Sequence, residues 1–182
     1  EAKAREIVKK TQIKNLDIYK KYLKKSKLQK EYEEITQYLK KREELNDIIL
    51  EKAVATGIGV ISPERIDEIN ILQATYEAMR QAIGNLSVKP DLLLNDAVTI
   101  PKVEIPQVPI IKGDAKSISI AAASIIAKVY RDRLMVQYDE IFPGYGFAGN
   151  KGYGSQAHMD AIRTLGPTPI HRRSFIKNII LY

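Results

Sequence analysis

The chain of 182 residues contains no cysteine. That absence excludes disulfide staples and thiolate metal sites outright, and it fits a reducing compartment. Histidine is scarce too, with only His158 and His171. No apolar run reaches the length that spans a bilayer, and the first residues carry no signal-peptide pattern. The expectation is a soluble, cytoplasmic protein. Hydrophobic residues make up 45% of the chain, which argues against disorder throughout and for a sizeable core.

Acidic residues are few at one end only. Residues 1–30 hold 11 Lys/Arg and 3 Asp/Glu, whereas the rest of the chain holds 18 basic and 19 acidic residues. The whole excess behind the net charge of +7 therefore sits on the first thirty residues. Such asymmetry points either to a polyanion partner or to a Lys-rich helix that only water solvates.

Residues 3–38 read as one or two helices, with Ile7, Leu16, Leu23, Leu28, Tyr32, Ile35 and Leu39 as a loose apolar stripe. Tyr19, Tyr22, Tyr32 and Tyr38 interleave with the lysines. They suit packing on a helix face better than stacking on bases. A separate helix is expected over 40–55, with Leu45, Ile48 and Ile49 inward. Gly57–Ile61 reads as a short strand. Ser62-Pro63-Glu64 is a helix start, because serine caps an orphan N–H, proline suits the first position and glutamate favours the positive end. Ile69, Leu72, Tyr76, Met79 and Ile83 continue it at helical spacing.

Asp91–Asp96 has the apolar run of a buried strand, and Val108–Lys112 is another, broken by Gly113. Ser117–Tyr138 reads as a helix whose small residues (Ala121, Ala122, Ala123, Ser124 and Ala127) allow close packing on a sheet. Pro143–Gly154 is a glycine-rich loop. Ser155 caps a last helix that Gly166 stops. Strands alternating with helices indicate an α/β layer fold.

Two aspartates stand out by position. Asp96 ends one strand, and Asp114 follows another within Lys112-Gly113-Asp114. Functional groups collect at strand ends in open α/β sheets. With no thiolate to compete, two such carboxylates suit a hard divalent ion such as Mg²⁺ or Mn²⁺. Each could equally cap a neighbouring backbone N–H.

A series of motifs raises the first alternative. It comprises Gly57-Ile58-Gly59, Ile66-Asp67-Glu68-Ile69-Asn70-Ile71, Ile111-Lys112-Gly113-Asp114, Ala121-Ala122-Ala123-Ser124-Ile125-Ile126-Ala127-Lys128-Val129, Arg131-Asp132, Tyr145-Gly146-Phe147, Lys151-Gly152-Tyr153-Gly154 and His171-Arg172-Arg173-Ser174-Phe175. In order and spacing, residues 41–175 resemble bacterial ribonuclease HII. Residues 1–38 resemble the Lys-rich linker that precedes the catalytic domain in some members.

The resemblance implies a ribonuclease H-like mixed sheet flanked by helices over 41–182, with a Lys-rich helical extension over 1–38. It implies an endonuclease that cuts the RNA strand of RNA–DNA hybrids and nicks 5′ to ribonucleotides embedded in duplex DNA. Such an enzyme works with Mn²⁺ or Mg²⁺ through a two-metal hydrolysis that leaves 5′-phosphate and 3′-hydroxyl ends. The expected partners are those duplexes, and the expected state, where the full catalytic domain is present, is a monomer. Asp96 and Asp114 match two of the family's four metal-binding carboxylates. Tyr153 matches the tyrosine that stacks on the deoxyribose beside the ribonucleotide. Lys112, Lys151, Arg172 and Arg173 match phosphate contacts or are plain surface charges. Asp132 reads as structural, paired within Arg131-Asp132. His158 is expected to pack in the last helix, and His171 to support the C-terminal turn.

One part of the family pattern is not found. The first strand of the family carries an Asp-Glu pair followed by Gly-Arg-Gly, which supplies the other two carboxylates and reads the 2′-hydroxyl. Here Leu39 runs directly into Lys40-Lys41-Arg42-Glu43-Glu44-Leu45, so the gap falls near 38–41. A sheet without its first two strands has raw edges in its middle and is not expected to stand alone. Either the natural molecule carries a segment there, or the chain is a catalytically incomplete remnant that binds nucleic acid through its basic N-terminal helix.

Overall fold

The computed structural model describes residues 27–179, with side chains from residue 37 onward. The expectations for residues 1–26, including the basic stretch and its tyrosines, lie outside the described residues, as do those for the side chains of Leu28, Tyr32 and Ile35. In chain order the elements are α1 (Lys27–Lys52), α2 (Pro63–Gly84), β1 (Leu93–Asp96), β2 (Gln107–Ile110), α3 (Gly113–Lys116), α4 (Ile118–Ile141), α5 (Phe147–Asn150), α6 (Gln156–Leu165) and α7 (Arg173–Ile176). They fall into two compact units. One joins residues 27–44 with Val129–Pro167, and the other joins Leu45–Lys128 with residues 168–179.

The two helices expected to meet near residue 40 are one. No glycine or proline lies between Lys27 and Lys52, so nothing interrupts the hydrogen-bond ladder, and Lys40 sits 3.9 Å from Glu44 one turn on. In the first unit, α1 brings Arg42 to Asp132 and Glu43 to Arg133 of α4, the latter pair at 2.6 Å. Asp132 is thus structural as expected, held by Arg42. The core of this unit is Val129, Tyr145, Phe147 and Ile162. Phe147 lies 5.5 Å from the Tyr145 ring, stacked, and 5.2 Å from the His158 ring, edge-on. Ser155 caps α6 by accepting from the His158 amide at 3.2 Å, and Gly166 ends it at φ 79°.

In the second unit, Leu45 and Ile49 are half-buried, while Ile48, expected inward, is exposed. Gly57–Ile61 forms no strand. It lies extended against α2, so close that a Cβ on Gly59 would sit 1.9 Å from the Ala78 carbonyl oxygen. Side chains of α2 replace a sheet partner, with Gln81 Oε1 accepting from the Val60 amide at 2.6 Å and Asn85 Nδ2 donating to the Ile58 carbonyl at 2.8 Å. Ser62 caps α2 as expected, accepting from the Arg65 amide at 3.2 Å. The helix then breaks at Asn70, where φ is 67°. Asn70 Oδ1 recaps the second half by accepting from the Leu72 and Gln73 amides at 3.0 and 3.2 Å. The break turns the expected apolar stripe, leaving Leu72 exposed and Ala74 buried.

Strands β1 and β2 pair in parallel, with Leu93 opposite Gln107 and Asp96 opposite Ile110. The loop between them is held by Gln107, whose side chain bonds Asn95 and both backbone groups of the buried Ile100. The expected buried strand is only half-buried. Leu92, Leu94, Val108 and Ile111 are exposed, because no further strand flanks the pair among the described residues. On α4, Ile118, Ala123 and Ala127 are exposed as well, while Ala121, Ala122 and Ser124 are half-buried. The architecture is nonetheless α/β, with helices flanking a small parallel sheet. No helix among the described residues is long and apolar enough to cross a membrane.

Candidate active site

The parallel pairing brings the C-terminal ends of β1 and β2 together, and with them the segments that carry Asp96 and Asp114. Lys112 turns the chain with φ 56°, and Gly113 opens the single turn α3, in whose first residues Asp114 sits exposed. Asp96 Oδ1 accepts from the Gly113 amide at 2.8 Å. One carboxylate is therefore tied to the residue next to the other. Gly113 is buried there, and a Cβ would meet Ile120 Cδ1 at 2.6 Å and Asp96 Cα at 3.3 Å. The turn needs glycine because of that close approach.

The N–H cap that Asp96 makes was one of the two alternatives open in the sequence. It leaves the second oxygen and the exposed Asp114 carboxylate at the same sheet end. Oxygen donors of this kind suit a hard cation. Among the described residues, however, no group of three or more His, Cys, Asp or Glu side chains comes together. Two carboxylates alone do not fit as the complete donor set of a two-ion centre.

The glycine-rich loop in the first unit is a framework of buried polar groups. Asn150 Nδ2 donates to the Tyr145 carbonyl at 2.6 Å, and its Oδ1 accepts from the Gly152 amide at 2.8 Å. Lys151 and Gly152 both have positive φ, 50° and 73°. Tyr153 follows with its ring exposed and its carbonyl held by the Ser155 amide and by His158 Nδ1, at 2.8 and 2.9 Å. Burial lowers the His158 pKa, opposed by the hydrogen bond to the Tyr153 carbonyl. The neutral ring with a proton on Nδ1 satisfies that bond. His158 therefore packs in the last helix, as expected, and also shapes the loop before it.

The C-terminal turn belongs to the second unit. Asp67 of α2 takes the Arg173 amide at 2.6 Å, the Ser174 amide at 3.1 Å and the Ser174 hydroxyl. The Ser174 hydroxyl most of all, then the two amides and the Arg172 charge, hold its carboxyl below the usual carboxylate range. Arg172 lies over the Phe175 ring at 3.7 Å, while Arg173 is exposed. His171 supports the turn as expected, its Nδ1 meeting the Thr168 amide at 2.9 Å and hydroxyl at 2.8 Å.

Sequence reasoning underrated two residues. Asp67 was read only as part of a motif, yet it anchors the turn that carries Arg172 and Arg173. Arg131 stands out in the sequence only as part of the Arg131-Asp132 motif, yet its guanidinium lies over the Tyr153 ring, 4.9 Å from the centroid. Neither long-range contact leaves a spacing signal.

Comparison with known proteins accords with this arrangement. A family model described as Ribonuclease HII matches residues 4–178. A ribonuclease HII of Lachnoclostridium phytofermentans is 75% identical over 140 residues, covering 77% of this chain and 55% of the relative. One of Clostridioides difficile is 59% identical over 140 residues, with the same coverage of 77% and 55%. The chain thus spans about half the length of the curated relatives it matches. The crystal structure of the ribonuclease H2 from Pyrococcus horikoshii OT3 has a similar fold, with a TM-score of 0.62 and 25% identity over 76% of this chain and 74% of that one. From the match over nearly its whole length, the chain belongs to the ribonuclease HII family.

Proposed function

We propose that the chain is the larger part of an endonuclease that cuts the RNA strand of RNA–DNA hybrids and nicks 5′ to ribonucleotides in duplex DNA, with Mn²⁺ or Mg²⁺ as its cofactor. The family match over residues 4–178 carries this reading. In it, Asp96 and Asp114 are two of four metal-binding carboxylates, and their placement at one end of the parallel pair supports the assignment. Tyr153 stacks on the sugar beside the ribonucleotide, and Lys112, Lys151, Arg172 and Arg173 contact phosphates. Residues 1–38 are a Lys-rich extension, and 41–182 the catalytic domain short of its first two strands. The setting is cytoplasmic and the state monomeric.

One observation favours a second reading. The absence of a third clustered carboxylate among the described residues suits a non-catalytic binder of nucleic acid that uses the basic N-terminal stretch.

Nicking of a duplex carrying one ribonucleotide separates the two, on protein whose intact mass has been compared with 20.6 kDa. A heavier molecule carries a further segment. It should nick only with the divalent ion, and Asp96→Asn should lower the rate at least ~100-fold without changing the melting temperature. Asparagine keeps the acceptor for the Gly113 amide and removes only the charge. Failure of the heavier molecule to nick excludes the enzyme reading. A molecule of the stated mass that binds duplex with steep salt dependence, indifferent to chelation and lost on deleting residues 1–30, establishes the binder.

A further inference from the structure

Tyr153 is exposed, at 55% of its surface, on a backbone that is fixed on both sides. Its amide donates to the Asn150 carbonyl at 2.9 Å, and its carbonyl accepts from Ser155 and His158. Asn150, Ser155 and His158 are all buried, so these anchors do not yield to water. An exposed tyrosine is ordinarily free to change rotamer. This one has a guanidinium over one face, from Arg131 on α4.

Gly152, at φ 73°, lies in ordinary contact range of Arg131. A Cβ there would touch Met135 Sδ at 3.4 Å and Arg131 Nη2 at 3.6 Å. Asp132, the adjacent carboxylate, is engaged by Arg42. Among the described residues Arg131 forms no ion pair, so its charge is not neutralised at the ring.

We infer that Arg131 is a positioning residue for Tyr153. It covers one face of the ring and leaves the opposite face as the single surface on which a sugar or base of a nucleic acid can stack. A cation on one face steadies the ring by its quadrupole and fixes the direction from which a ligand is met. The inference rests on the reading of Tyr153 as a nucleic-acid contact and adds how that contact is oriented.

The test is a double-mutant cycle on the full chain. Binding of a fluorescein-labelled DNA duplex with one ribonucleotide is measured, with the ring signals of ¹³C-labelled tyrosine recorded in the free protein. Tyr153→Ala should weaken binding about tenfold. Arg131→Met should weaken it about three- to tenfold and shift the Tyr153 ring signals. In the Tyr153→Ala background, Arg131→Met should cost less than about twofold, because coupled contacts are lost together. Arg131→Lys keeps charge without the planar group, and should recover only part of the loss.

If Tyr153→Ala binds as the parent does, the underlying reading of Tyr153 fails. If that variant weakens binding but Arg131→Met adds its full effect on top, or leaves the Tyr153 ring signals unmoved, Arg131 is a plain phosphate contact and the inference is overturned. Complete rescue by Arg131→Lys overturns it too, and does so even if the methionine variant does not fold.

Discussion

The glycine-rich loop with α6 and the β1–β2 pair are held together in opposite ways. In the loop, each bend is answered by a side chain close in sequence: Asn150 for Gly152, Ser155 for His158, His158 for Tyr153. Phe147 fills the centre with rings on two sides. In the strand pair, the backbone ladder and Gln107 hold the register, but Leu94 and Val108 are exposed and no further strand flanks the pair among the described residues. The first region is complete in its own stretch of chain. The second is built for neighbours that the described residues do not supply. A region can thus have correct local structure and still lack the burial that stabilises it, because register is a matter of hydrogen bonds and stability a matter of area removed from water.

The largest expected effect lies in the loop. Phe147 is 2% exposed, and Phe147→Ala removes both ring contacts and leaves a cavity. A loss of about 3–5 kcal/mol in urea denaturation is expected. A loss under ~1 kcal/mol would mean that the loop is not a packed unit, and the contrast with the sheet would collapse.

Asn150→Ala comes next. It leaves the Tyr145 carbonyl and the Gly152 amide without their partner, at a cost of about 1–3 kcal/mol. Asn150→Asp distinguishes donor from acceptor, since it keeps the bond from Gly152 and loses the one to Tyr145. With a buried carboxylate set against the Tyr145 carbonyl oxygen, it should cost at least as much as Asn150→Ala at neutral pH.

A smaller effect depends on pH. The folded His158 pKa lies below its ordinary value of 6.5, so the unfolded chain binds the proton more readily. The contribution of the neutral ring is fully present above about 6.5 and is lost as pH falls through the lowered folded value. Melting temperature followed from neutral pH to pH 5 should decline, and His158→Gln should flatten the decline from this group. An identical slope in parent and variant would assign it to other groups.

How much of this the sequence disclosed follows the same division. The caps at Ser62 and Ser155, the stop at Gly166 and the turn at Gly113 are local events, encoded by the residues that make them, and all were legible. The end of β1 at Asp96 was legible for the same reason, whereas β2 ends at Ile110, two residues before the expected Lys112. The single helix through residues 38–41 was not legible, although no glycine or proline interrupts it there. Gly57–Ile61 has the composition of a strand, but a strand needs a partner, and the segment settled against α2 instead. The Asp67 anchor and the Arg131 contact join residues far apart in the chain, and no periodicity records them.

The smallest expected effect is the most informative about the sheet. Ile111 is 72% exposed and Leu94 is 38% exposed. If nothing covers them, Ile111→Ser removes little buried area and should change stability by no more than about 0.5 kcal/mol. Adding Leu94→Ser should contribute only the smaller share of area that its less exposed side chain gives up. The pair of changes should also reduce self-association, since an exposed apolar strand edge invites other chains. A combined cost above ~2 kcal/mol would mean the opposite, that these side chains are buried in solution. The sheet would then have a covering segment or partner, and the contrast with the loop would belong to the described residues rather than to the working molecule.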